Sequence, residues 1–137
     1  MRHKRTIDKF TLEFFMTSRS LNDLLNILQN ICENIGLENL NPRLKHFRYF
    51  QFTFFGLMLR INSLLEQMIF RLDVLKDNED FREIYPKILS FKGRIIECDS
   101  LVRGKKMKRA AEEIPLAAAE YSKIFSDIEK ILDKYEN

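Results

Sequence analysis

Apolar residues recur at alternating intervals of three and four along almost the whole chain, and this repeat leaves few folds open. In the first segment Ile7, Phe10, Phe14, Thr17, Leu21, Leu24, Leu28, Ile31 and Ile35 share one register, with Thr17 the polar member. Such spacing lines up one face of an α-helix. A second segment repeats the pattern at Leu44, Phe47, Gln51, Phe54, Met58, Ile61, Leu65, Met68, Leu72 and Leu75, a third at Phe81, Ile84, Ile88, Phe91, Ile95, Cys98 and Val102. The fourth reads Met107, Ala111, Ile114, Ala118, Tyr121, Phe125, Ile128, Leu132 and Tyr135. Only Thr17 and Gln51 interrupt these four seams, far fewer polar residues than a chain of 45% hydrophobic residues would place there by chance.

Punctuation falls between the seams. Gly36 supplies a left-handed stop for helix one, and Asn41 with Pro42 offers an N-cap and a first helical position for helix two. The run Asp77-Asn78-Glu79-Asp80 closes helix two and puts acid in the first turn of helix three, where the helix dipole favours it. Pro86 predicts a kink or restart early in helix three, Gly104 its end, and Pro115 a kink in helix four, which spans about residues 106 to 135. Alternation with period two is absent, so strands are not expected. Short connections force sequential helices to run antiparallel. The expectation is therefore an all-α fold, one domain over residues 1–137, in which long helices form an up-down-up-down four-helix bundle with coiled-coil-like packing. Residues 1–5, Met1 to Arg5, are expected to be a short flexible basic tail.

Size and composition agree with that reading. A chain of 137 residues buries its own core without disulfides or metals, and Cys32 and Cys98 lie far apart among apolar neighbours with no metal-binding or redox spacing. They read as reduced core thiols of a cytoplasmic protein. The richest apolar run, Phe50 to Ile61, is broken by Gln51, Thr53 and Arg60 and is too short for a membrane span.

Catalytic signatures fail one by one. The two histidines, His3 and His46, cannot supply paired Glu-x-x-His motifs for a di-iron centre, and no haem-attachment motif, glycine-rich phosphate loop or nucleophile elbow occurs. The Arg-to-His spacing of helical ribonucleases is not met, since Arg43 precedes His46 by only two intervening residues. No enzyme, cofactor, metal or small-molecule substrate is expected. Thr17 and Gln51 read as buried polar residues that fix helix register, Tyr121 as a packing residue with a wet hydroxyl.

Two features remain for function. The topology brings the starts of helices two and four to one end, and with them Arg43, Lys45, Arg48, Arg103, Lys105, Lys106, Lys108 and Arg109, while residues 42–50 and 102–111 contain no Asp or Glu. Cations at a helix start oppose its dipole, so helix stability alone does not select this pattern. It fits an anionic partner: the phosphates of a nucleic acid, RNA before duplex DNA because no groove-reading helix is visible, with His46, Tyr49 and Phe50 at hand for stacking. A solvated charged cap is the plainer alternative on a chain of net charge +3. The second feature is an apolar stripe outside the seam of helix two, Phe52, Phe55 and Leu59, which marks a protein partner or homodimer interface. The function these point to is a non-enzymatic subunit that assembles through the stripe and contacts nucleic acid through the basic end. The alternative is a protein-only regulatory or antitoxin-like adaptor without nucleic-acid contact.

Overall fold

The computed structural model describes residues 5–136, and helix dominates it. Helix α1 runs Lys9–Ile35, a 3-10 turn Leu37–Asn39, α2 Lys45–Leu75, α3 Glu79–Arg82, α4 Ile84–Arg103 and α5 Met107–Leu132. Strands β1 (Arg5–Thr6) and β2 (Tyr135–Glu136) pair in parallel, Arg5 with Tyr135 and Thr6 with Glu136. The four long helices form the antiparallel bundle. Helix α1 packs on α2 and α5, and α4 packs on the same two, so α1 faces α4 across the diagonal. No described helix is long and apolar enough to cross a membrane.

The basic tail expected over residues 1–5 falls mostly outside the described residues. Its last member, Arg5, pairs through its backbone with β2 at the end opposite the cationic one.

Local chemistry explains the boundaries. Asp8 caps α1 by accepting the Thr11 amide at 2.7 Å, and Gly36 closes it at φ 68° with its N–H on Cys32 and Glu33. Helix α2 starts later than Asn41-Pro42 suggests, because the Asn41 side chain accepts the Arg43 amide at 2.9 Å and holds a turn. The helix then opens at Lys45 behind Leu44, which has no side-chain cap. Pro86 acts as a restart: the helix breaks at Glu83, leaving Pro86 third in α4, where its missing N–H has no intrahelical acceptor to lose. Helix α5 runs unbroken through Pro115 but stops at Leu132, so Tyr135 belongs to β2 and not to the helix.

All seven expected seam residues from Phe81 to Val102 are buried, as is the α2 seam from Phe47 to Leu72 apart from the half-buried Gln51. Helix α5 differs by one position. Ala110, Ala117, Ile124 and Ile131 are buried where Ala111, Ala118, Phe125 and Leu132 were expected, and these four flank the core half-buried. In α1 the stripe turns as the helix rises, so that Leu25 and Cys32 are buried while Ile31 is half-buried and Ile35 exposed. A straight helix of 3.6 residues per turn drifts about 20° per heptad from a 3.5 repeat, about 80° over a helix this long.

At mid-bundle the buried Tyr121 donates its hydroxyl to the Ser18 carbonyl at 2.7 Å, with Met68 Sδ at 3.7 Å and the Phe91 ring at 5.1 Å. All four long helices meet there. The hydroxyl is dry, contrary to the wet placement the sequence suggested, and it makes a fully buried polar tie between α5 and α1. Thr17 does not: its hydroxyl donates to the Glu13 carbonyl of its own helix at 2.7 Å.

Candidate functional site: a cationic end and an apolar outer face

The end of the bundle where α2 and α5 begin carries all eight cations named from the sequence, and all eight are exposed. Two are held by acids of α4. Arg103 Nε donates to Asp99 at 2.6 Å and Arg109 to Glu97 at 3.2 Å. Among the described residues Arg43, Lys45, Arg48, Lys105, Lys106 and Lys108 enter no ion pair; elsewhere Lys76, Lys87, Lys92, Arg94 and Lys134 are paired, while Lys9, Arg19, Arg60, Arg82, Lys123 and Lys130 are unpaired but scattered along the bundle. The end is not free of acid, because the 3-10 turn sets Glu38 beside the start of α5.

Arg103 reaches α2 across the α2/α4 face. The Arg103 guanidinium lies 4.2 Å over the Phe55 ring, and Arg48 stands two turns earlier on that flank of α2, about 10 Å along the axis. Neither α2 nor α5 has a side chain capping its N-terminus, where Lys45 and Lys106 stand. The turn joining α4 to α5 is unusual. Helix α4 ends in a Schellman arrangement, with the Lys106 amide on the Leu101 carbonyl at 2.9 Å and the Lys105 amide on Val102 at 3.1 Å. The left-handed position belongs to Lys105, at φ 59°, and not to Gly104, at φ −78°. The chain thus spends strain to hold a lysine where glycine fits best.

The outer stripe survives only in part. Phe52 is 85% exposed and Leu59 75%, but Phe55 is half-buried, packed on Phe54 and covered by Arg103, so it is not free for a partner. The exposed apolar face reaches farther than the sequence suggested, through Tyr49 at one end to Phe70 and Val74 at the other.

Sequence reasoning also missed a groove of about 580 Å³ between the end of α1 and the start of α2, lined by Ile31, Ile35, Leu40, His46, Tyr49, Phe50 and Thr53. It opens because the α1 stripe has turned far enough to leave Ile31 and Ile35 out of the core. The chain matches no known protein family, no curated protein and no solved structure. Among the described residues no group of His, Cys, Asp and Glu is arranged to hold a metal. Both thiols are free and buried; burial is the main reason each is pushed up to about 12, with a smaller contribution at Cys32 from Cys98. Neither is a nucleophile at neutral pH.

Proposed function

We propose that this bundle is a non-catalytic subunit that holds the phosphate backbone of a single-stranded nucleic acid, RNA before DNA, on its cationic end, and assembles with protein through the outer face of α2. The observation that carries the reading is the set of six exposed cations at one end that no acid among the described residues engages, one of them held in a strained backbone conformation. Exposed cations left unpaired at helix starts lower stability slightly, and an anionic partner reverses the sign of that contribution. The groove beside Tyr49 adds stacking surface next to Arg43 and Lys45. Its aliphatic walls also suit the apolar side of an acidic peptide, which is the observation favouring a protein-only adaptor.

Anisotropy of a labelled single-stranded RNA across a salt series separates the two. Nucleic-acid binding through about three to five phosphates gives a log-log salt slope of about −2 to −4, abolished when Lys105, Lys106, Lys108 and Arg109 are changed to Glu. Absence of binding at low salt, or a salt-independent signal, refutes the nucleic-acid reading and leaves the adaptor.

A further inference from the structure

The three most exposed large apolar residues, Phe52, Leu59 and Tyr49, all stand on α2, and Phe70 continues the face toward the far end. Gly56 lies among them. It is exposed in mid-helix, and a Cβ there would meet nothing within 4 Å, so no neighbour in the chain accounts for a residue that weakens the helix. A facing backbone that approaches closely would account for it.

Taking the assembly reading as its basis, we propose that the partner on this face is a second copy of the chain, docked antiparallel along α2 about a two-fold axis level with Ile61. The face is self-complementary about that level. Phe52 and Phe70 stand equally far on either side of it, so each meets the other in the partner, and Leu59 meets the partner's Ser63 in the same way. Charge gives the same direction. Helix α2 carries Lys45, Arg48 and Arg60 with no acid before Glu66, and beyond that point Glu66, Arg71 and Asp73, with Lys76 and Asp77 just past its end, so it runs from a cationic half to a weakly acidic one. Parallel docking would set like charge on like, whereas antiparallel docking sets Lys45 against the partner's Asp77 at both ends of the interface. Lys45 and Asp77 are exposed and enter no salt bridge among the described residues. The area is adequate for a reversible dimer. A 31-residue helix is about 46 Å long and about 11 Å wide, so a pair covers about 1,000 Å² in total, the lower bound of specific interfaces.

The test is sedimentation velocity of the whole chain from low to several hundred micromolar, with circular dichroism as the check on folding. A concentration-dependent dimer is expected, lost in Phe52→Glu with Phe70→Glu at unchanged helicity. Lys45→Glu and Asp77→Lys should each weaken dimerisation about ten-fold, since each reverses two symmetry-related pairs, and the two together should restore it. A monomer at every concentration overturns the proposal, and failure of the double charge reversal to restore the dimer overturns the antiparallel register. RNA anisotropy on the wild type and on the Phe52→Glu with Phe70→Glu variant, which keeps every cation of that end, reports separately on the cationic end, so a wild-type monomer that still binds RNA refutes this inference and leaves the nucleic-acid reading standing.

Discussion

Replacing Lys105 with glycine should make the protein more stable and a poorer binder at once. Lys105 sits at φ 59°, at the left-handed position of the α4 terminus, where an L-residue is disfavoured by about 1–2 kcal/mol. Glycine removes that strain but gives the unfolded chain more freedom, which offsets about 0.5–1 kcal/mol. The net gain is about 0.5–1 kcal/mol, or about 2–4 °C in Tm for a chain of this length. The Lys105 and Lys106 amides that close the turn are kept, so no hydrogen bond is lost. If Lys105 also contacts a phosphate, the variant lowers the steepness of the salt dependence by about 0.7 for a single strand. Thermal melts and the RNA salt series read the two effects independently. A Tm that stays level or falls refutes the strain argument. An unchanged salt slope refutes the assignment of Lys105 to the binding surface. Lys105→Asn serves as the control, because asparagine tolerates the left-handed region and also lacks the charge.

Other outcomes follow from the core and its edges. Tyr121→Phe deletes a dry hydrogen bond to Ser18 and should lower stability by about 0.5–1.5 kcal/mol in denaturant titrations; no loss would mean that the hydroxyl finds water in the native state. Leu65→Ala, at a fully buried site, should lower stability by about 2–5 kcal/mol, whereas Phe52→Ala should change it by no more than about 0.5 kcal/mol in chemical unfolding of the monomer. Cys32 and Cys98 ionise near their ordinary value of 9.0 when unfolded but are pushed up to about 12 in the fold, so their contribution is intact below pH 9 and lost as pH rises from 9 toward 12. Melts across that range should show the fall, and a thiol reagent at pH 8 should react only as the chain unfolds.

The parts of the fold legible in the sequence were those where a single register fits. Ile84, Ile88, Phe91, Ile95 and Cys98 leave α4 one possible inner face, and all are buried. Helix α5 offers adjacent small or apolar residues at 110 and 111, 117 and 118, and 124 and 125, so spacing alone could not choose between two neighbouring seams. Packing against α1 and α4 made the choice. The cations were legible as a cluster because the topology was. Their division into tied and untied was not, since Arg109 finds Glu97 only through the rotation of α5 against α4. Phe55 was misassigned for the same reason: its cover, Arg103, arrives from another helix. The left-handed Lys105 is invisible beside Gly104, which advertises that conformation and does not adopt it.

The tie between Tyr121 and Ser18 joins residues 103 positions apart, whereas α1 with α2 and α4 with α5 are hairpins of sequence neighbours. Hairpins close over short loops, while the tie requires both to have docked, so it is among the last native interactions to form. Its removal should therefore leave the folding rate almost unchanged and accelerate unfolding. The centre of the bundle thus acts as a latch on the native lifetime, set by one phenol that takes no part in the search that precedes it.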